Sequence, residues 1–290
     1  MKCRCNQKAV FQKQCKKHFC LSVEKKAAAV IKKYVKPTDK VIVAVSGGKD
    51  SLTVLSFISK YAKTIALCID EGIEGYRDVT LSGMADFCKQ RNIEYVIVSF
   101  KDEFGFTLDA MTNKLKENPC TICGAFRRYI LNKKARELGA TVLVTGHNMD
   151  DESQAVLMNI MRHQLDILPR LGPKTGVVKD DRFIPRVKPL YFVSEKEVAA
   201  YAFLNGFNVQ YKECPYAGSA YRADVCDFLN SVESTYPRAK KKFIETFVKN
   251  LPVIRKTVKV KEVNYCRKCS EPCVGEYCKA CQLLEKLWTS

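Results

Sequence analysis

Fifteen cysteines against three histidines in a chain of 290 residues raise the first chemical question, because many of them stand in pairs two residues apart. Cys266-x2-Cys269 and Cys278-x2-Cys281 place four soft ligands within sixteen residues. Two such knuckles suit tetrahedral Zn²⁺, which stabilises a segment too short to build its own core. Cys273 lies between them as a bystander. At the other end, Cys3, Cys5, Cys15 and His18 offer a second four-ligand set, with Cys20 competing with His18 for the last place. A third group joins Cys120-x2-Cys123 to Cys214, far downstream. A CxxC by itself fits a zinc half-site, a redox pair or cluster ligands, and no fourth zinc ligand is evident near Cys214. Three thiolates would leave one iron of a four-iron cluster open to a non-protein ligand, such as a sulfide to be delivered. The remaining Cys20, Cys68, Cys88, Cys226 and Cys273 default to small, buried hydrophobes.

The second chemical feature is Ser46-Gly-Gly-Lys-Asp-Ser51. Gly47 and Gly48 permit a tight turn with N–H groups open to an anion. A helix beginning near Asp50 adds the positive end of its dipole, Ser46 and Ser51 add hydroxyls, and Lys49 adds a charge. The spacing matches neither the mononucleotide P-loop nor G-x-G-x-x-G. Two acidic strings complete the set. Asp70-Glu71-Gly72 and Gly146-His147-Asn148-Met149-Asp150-Asp151 follow apolar runs, and paired carboxylates there suit Mg²⁺ bridging phosphate oxygens. For Asp150 and Asp151, charge at a helix N-terminus is an equally good reading.

These residues need elements to hold them. Lys40–Val45 is a short β-branched run that reads as a buried strand leading straight into the glycines. Residues 64–69, 93–99 and 141–145 read as further strands. Residues 23–35, 77–91, 123–138 and 150–163 read as helices. Such alternation predicts an α/β fold with a doubly wound parallel sheet, whose ligands lie beyond the carboxyl ends of the strands. Residues 165–190, with four prolines, read as a long loop, and about 194–250 as mainly helical. The domain reading is an N-terminal zinc segment (1–22), a catalytic domain (23–190), a helical part completing the cluster site (191–260) and a C-terminal zinc finger (261–290).

Composition narrows the partner. Lysine and arginine total 49 against 31 acids, a formal charge of +18, which suits a polyanion and nucleic acid best. No apolar run is long enough for a membrane span and no secretory h-region is seen, so metal-bound thiolates outrank disulfides and the expected location is cytoplasmic, without a membrane partner.

SGGKDS resembles the pyrophosphate loop of the PP-loop ATPases. Together with CTICGAFRR, GHNMDDE and ECP in this order, between cysteine-rich ends, it is similar to the archaeal and eukaryotic cytosolic tRNA 2-thiolation enzymes, which include T-loop and wobble-uridine thiolases. The resemblance covers nearly the whole chain. It implies an adenine nucleotide alpha hydrolase-like fold with ATP at Ala44, Ser46, Gly47, Gly48, Ser51, Asp70 and Gly146, and Mg²⁺ near Asp150 and Asp151. It implies a [4Fe–4S] cluster on Cys120, Cys123 and Cys214, and two Zn²⁺ at the termini. The family usually shows CxxC where this chain has Cys3-x-Cys5. Catalytic roles fall to Lys49, Asp50, Arg127 and Asp151, with Arg127 at the family's basic catalytic position, and Arg128 is a further candidate for stabilising charge.

The reaction so implied is adenylation of a tRNA uridine O2, followed by replacement with sulfur delivered through the cluster. The wobble uridine, position 34, is favoured over position 54 by the CTICGAFRRYILNKKA and VLMNIMRH strings. The expected sulfur donor is a ubiquitin-like thiocarboxylate carrier or sulfide, and the expected assembly a homodimer. Two other classes compete: a PP-loop ATPase adenylating a different substrate, which would not need the three thiols, and a non-catalytic zinc RNA-binding protein, which would not consume ATP.

Overall fold

The computed structural model describes residues 1–175, 182–209, 213–217, 220–259 and 263–289. The first helix, α1 (Lys16–Tyr34), leads to β1 (Lys40–Val45), α2 (Lys49–Ile58), β2 (Lys63–Asp70), α3 (Arg77–Gln90) and β3 (Glu94–Ser99). Two short helices, α4 (Phe100–Phe104) and α5 (Leu108–Lys114), precede α6 (Pro119–Glu137), β4 (Val142–Thr145) and α7 (Met149–Met161). After a 3-10 turn at Leu165–Arg170 come β5 (Arg186–Val187), α8 (Glu195–Leu204), α9 (Ala220–Thr235) and α10 (Ala239–Thr257). A small hairpin, β6 (Asn264–Tyr265) with β7 (Pro272–Cys273), and α11 (Lys279–Thr289) end the chain.

The five long-range strands form one sheet in the order β3-β2-β1-β4-β5, and every pairing is parallel. Strands β1, β2 and β4 are buried along most of their length, as expected of a sheet covered on both faces. Val41, Val43, Val142, Val144 and Val187 pack towards α1, α2, α3 and α8. Ile42, Ile65, Leu67 and Leu143 pack towards α4, α5, α6 and α11. A third cluster, Met149, Val156, Leu168, Tyr191, Ile244, Phe247 and Leu251, joins α7 to α10. The strand order reverses direction at β1, so the crevice between the carboxyl ends of β1 and β4 is the topological switch point. SGGKDS follows β1 and GHNMDD follows β4, which brings both strings to that crevice.

The elements differ from the sequence reading in instructive places. α1 begins at Lys16, seven residues before the amphipathic stretch starting at Val23. Its first turn carries His18 and Phe19, and Phe19 is buried in the core, so the helix runs through the expected boundary at residue 22. Asn118 caps α6 through the Cys120 N–H and Pro119 occupies the first turn, which puts both Cys120 and Cys123 on the helix. Within 165–190, β5 pairs with β4 and so extends the sheet. Among the described residues no helix is long and apolar enough to cross a membrane.

Candidate active site

The anion loop is built as its residue types suggest. Gly48 is the N-cap of α2. The Ser51 hydroxyl accepts the Ser46 N–H (3.2 Å) and donates to the Gly48 carbonyl (2.9 Å), fixing the turn from inside. Gly47 has φ +88, and a Cβ there would lie 2.4 Å from the Thr80 carbonyl oxygen, so no other residue fits without moving α3. A Cβ on Gly146 would lie 2.8 Å from the Asp50 carbonyl carbon and the Ser51 nitrogen. Gly146 therefore lets the end of β4 close onto the loop's own backbone. Lys49 Nζ is held by Asp50 (3.1 Å) and Glu195 (3.0 Å). Burial opposes its charge, but these two carboxylates outweigh burial and raise its pKa.

A cavity of about 260 Å³ opens beside the loop. Of the residues expected at the nucleotide or in catalysis, Ala44, Ser46, Asp50, Ser51, Gly146, Asp151 and Arg127 line it. Asp70 does not: its carboxylate accepts the Gly72 N–H (2.8 Å), and Glu71 lines the cavity in its place. Asp150, expected at Mg²⁺, also stands outside the lining. One of its oxygens accepts from Lys240 (2.6 Å) and the other from the Glu195 N–H (2.8 Å). It thus ties α7 to the N-terminus of α8 and to α10, close to the helix-terminus reading. Asp151 is at once a lining residue and a cap, taking part in a reciprocal box with Asn148. Burial raises its pKa to about 6, against the Asn148 N–H and Arg222, which favour the charge. The same carboxylate pairs with Arg222 (2.9 Å).

Three further residues complete the cavity: Glu71 and His147, which stand in the two acidic strings without an assigned role, and Arg77. Glu71 is buried and joins two arginines: Arg77 Nε at 2.7 Å and Arg127 Nε at 3.4 Å. Arg77, also buried, donates to the Ser46 carbonyl (3.0 Å) and to the Ile69 carbonyl. The guanidinium thereby clamps the ends of β1 and β2. His147 bonds Thr145 Oγ1 (2.8 Å), and burial together with surrounding cations lowers its pKa to about 3, so it is neutral at physiological pH. A strand ending in Asp-Glu was the available signal for Glu71; nothing local marked Arg77.

The three dispersed thiols meet at the N-terminus of α6. Cys120 and Cys123 stand one turn apart, hence on one face. Cys120 Sγ donates to the Tyr216 carbonyl (3.2 Å), which brings segment 213–217 and Cys214 onto that face. Tyr216 is itself fixed by its hydroxyl, which donates to Asp109 on α5 (2.7 Å). Burial raises the pKa of Cys123 to about 11, with Arg127 acting the other way, and burial also raises that of Cys214. Neutral thiols beside a guanidinium and a helix N-terminus are poised to be held as thiolates by a cationic group. These three are not among the sets whose donors all close to within 4.8 Å. That wider spacing suits a cluster, whose irons occupy separate corners, better than a single ion.

Two sets do close to that distance: Cys3, Cys5, Cys15 and His18, and Cys266, Cys269, Cys278 and Cys281. In the first, His18 Nδ1 lies 3.2 Å from Cys3 Sγ and 3.5 Å from Cys15 Sγ, and Cys5 Sγ lies 3.6 Å from Cys15 Sγ. These are spacings that ligands ~2.0–2.3 Å from one tetrahedral ion would show. N–H groups of Cys5 and Cys15 lower the Cys3 pKa to about 6. For Cys266, burial pushes upward, yet N–H groups of Cys278, Cys269 and Lys268 bring it down to about 6. Cys20 stands aside, 3.6 Å from the Asn205 amide, and Cys273 donates to the Gly275 carbonyl (3.4 Å). The donor sets fit Zn²⁺, and His18 reaches the N-terminal one because α1 starts at Lys16.

Residues 20–214 match the family described as PP-loop domain. A Pyrococcus horikoshii protein named tRNA-5-methyluridine(54) 2-sulfurtransferase is 35% identical, covering 92% of this chain and 86% of its own. A Caenorhabditis elegans protein named cytoplasmic tRNA 2-thiolation protein 1 is 36% identical, covering 90% of this chain and 71% of its own. Among solved structures, the U34-tRNA thiolase NcsA from Methanococcus maripaludis, with its [4Fe–4S] cluster, superposes with a TM-score of 0.85 at 30% identity. That match covers 99% of this chain and 96% of the other.

Proposed function

The chain belongs to the PP-loop family, within a group of tRNA 2-thiolation proteins, and we propose that it is an ATP-dependent tRNA uridine 2-sulfurtransferase acting at position 34. The observation that carries this reading is the shared cleft: Arg127 lines the nucleotide cavity and stands one helical turn from Cys123, beside the other two thiols. A PP-loop enzyme that adenylates a different substrate has no use for that thiol set, and a non-catalytic zinc protein has no use for the cavity.

Ser46, Gly48, Ser51 and Lys49 bind the ATP phosphates, with Lys49 exchanging Asp50 and Glu195 for phosphate oxygens. The uridine, extruded from its stack, presents O2 to the α-phosphorus. The O–P bond forms and pyrophosphate leaves. Asp151 and Asp50, at the cavity wall, supply the carboxylates for a divalent cation on the phosphates. Sulfur then adds at C2 and the C2–O bond breaks, releasing AMP; without adenylation the oxo group leaves poorly. Arg127, steadied by Glu71, supplies positive charge where the phosphate and the added sulfur carry negative charge. Cys120, Cys123 and Cys214 would hold a [4Fe–4S] cluster, which would supply a binding site for the sulfur to be transferred. Two Zn²⁺ at the terminal sets hold the ends of the chain.

Position 34 is supported by the end-to-end match to a protein named for U34 at 30% identity, against a relative named for U54 that is 35% identical over 92% of this chain. The tRNA partner follows from the relatives' names and the +18 charge; a cytoplasmic location follows from one of those names. The sulfur donor, a thiocarboxylate carrier or sulfide, and a homodimeric assembly complete the proposal. Anaerobic reconstitution with metal analysis, followed by nucleoside mass spectrometry after adding ATP and sulfide, tests it. Iron, zinc and 2-thiouridine are expected, and tRNA with U34 replaced should stay unmodified while tRNA with U54 replaced is modified. Iron-free protein, or thiolation of another substrate, overturns the reading.

A further inference from the structure

Around the mouth of the cleft, cations exceed the acids that balance them. Lys188 pairs with Glu152 (2.7 Å), Arg222 with Asp151 (2.9 Å) and Arg127 with Glu71 (3.4 Å). Among the described residues, the guanidinium groups of Arg128 and Arg186 have neither a carboxylate nor a hydrogen-bond acceptor.

The backbone brings these two side chains together. Arg186 on β5 lies opposite Leu143 on β4, and Leu143 packs in the layer beneath α6. Parallel partners share a face, so Arg186 points towards α6. α6 is registered against this edge by Asn132, whose amide donates to the Arg182 carbonyl (2.9 Å) and accepts the Ile184 N–H (3.3 Å). One turn before Asn132 on α6 is Arg128; two residues after Ile184 is Arg186. The helix runs opposite to the strand, so both steps lead to the same end of the sheet, the end where ligands bind. The Arg128 guanidinium folds back over Gly124, where a Cβ would lie 3.1 Å from Nη1, and so sits beside Cys123. Burial and the neighbouring Arg128 push the Arg186 pKa down to about 10. Two guanidinium groups held at the same end of the sheet without an acid call for an anion.

We propose that Arg128 and Arg186 form a two-guanidinium seat for a phosphodiester of the substrate RNA, the one adjoining the nucleotide whose base enters the cleft. The ATP phosphates already have the SGGKDS loop, with its own amides, hydroxyls and lysine. A base that reaches both the cavity and Cys123 leaves its backbone at the mouth, at the same end of the sheet as this pair. Planar guanidinium forks match the non-bridging oxygens of a phosphate bidentately, which a lysine point charge does not. The seat rests on the tRNA reading of the cleft and assigns Arg128 to holding RNA.

The test uses the full-length, reconstituted protein and the variants Arg128→Gln, Arg186→Gln and Arg186→Lys. tRNA binding is measured across a KCl series, alongside the ATP dissociation constant and the melting temperature. Each Gln variant should bind tRNA several-fold more weakly, and the double variant Arg128→Gln/Arg186→Gln should reduce the slope of log K against log[salt] by ~0.7–0.9, one phosphate contact. Arg186→Lys should keep the slope but not the full affinity. Arg186→Gln should melt at the same temperature as the parent or higher, because it relieves repulsion, and ATP should bind it as it binds the parent. A methylphosphonate beside the target uridine should weaken the parent but add nothing to the loss in the double variant Arg128→Gln/Arg186→Gln. An unchanged salt slope in the double variant, or an equal loss of ATP binding or a lowered melting temperature in Arg186→Gln, overturns the seat. Failure of the parent to thiolate tRNA would instead overturn the functional reading, since the salt slope is read from binding alone.

Discussion

Arg127 is the side chain through which the nucleotide cavity and the three thiols communicate, and its geometry makes a sharp prediction. It is 47% exposed, so truncation leaves no large void and no buried unpaired charge except on Glu71, which keeps Arg77 as a partner. Arg127→Ala should lower single-turnover thiolation by about 100-fold, the scale of losing one transition-state charge donor, with the cluster absorbance retained. Near-parental turnover would remove Arg127 from the mechanism. Asp151 makes a second prediction, from its pKa of about 6. A carboxyl raised above its unfolded value is protonated in the folded protein below about pH 6 and ionised above it. Its contribution to stability is therefore full below the unfolded pKa and is lost as pH rises through about 6. A role as cation ligand requires the ionised form, so kcat/KM for ATP should rise through about pH 6, and Asp151→Asn should abolish that limb of the profile. At this scale, SGGKDS and the paired cysteines were legible because their chemistry is set by neighbours in sequence. The choice of Glu71 over Asp70, and the position of Asp150 outside the cavity that Asp151 lines, were not. In each pair the side chains leave the backbone in different directions, and which one meets the cavity depends on the end of a strand or the first turn of a helix.

Among the elements, α6 carries the most function: two of the three thiols, Arg127, Arg128, and Asn132 and Arg136 on the face towards the C-terminal hairpin. Glu271, in that hairpin, is buried and accepts from Asn132 (2.9 Å) and Arg136. The C-terminal four-cysteine set is thereby fastened to the helix that carries Cys120 and Cys123. Glu271→Ala would leave Asn132 short of an acceptor and Arg136 without its acid. Arg136 is 34% exposed, so water compensates part of the loss and the cost should be about 2 kcal/mol, read from urea unfolding of the zinc-loaded protein. A change below about 0.5 kcal/mol would mean that the finger and α6 are independent. The parallel sheet covered on both faces follows from alternating strands and helices, but the starts of α1 and α6 were harder to read. α1 begins at Lys16 because a four-ligand set recruits His18 from its first turn, a constraint that hydrophobic periodicity does not register. Asn118-Pro119 was a usable start signal for α6, an N-cap followed by proline in the first turn; a reading based on apolar spacing passes over it. The short α4 and α5 carry too few residues for periodicity to declare itself.

For the whole molecule, the +18 charge separates the two substrates by the way salt should act on them. The ATP loop holds its ligand with amides, hydroxyls and one lysine inside a cavity, where mobile ions screen poorly. A tRNA is too large for that cavity and would meet the outer surface, where lysines such as Lys16, Lys17, Lys25 and Lys33 on α1 and Lys242, Lys249 and Lys256 on α10 are exposed. Binding there releases counterions from the phosphate backbone, and the cost of salt is set by the number of phosphates engaged. With about six contacts, tRNA affinity should fall about a thousandfold between 50 and 200 mM KCl, while ATP affinity changes by less than about tenfold. The measurement is a pair of binding isotherm series on the same reconstituted sample. Parallel slopes for the two ligands would place the RNA inside the cleft without help from the outer surface. A steep tRNA slope with a shallow ATP slope means that the surface charge does the gathering, while the cleft, with its few oriented groups, selects the base that reacts.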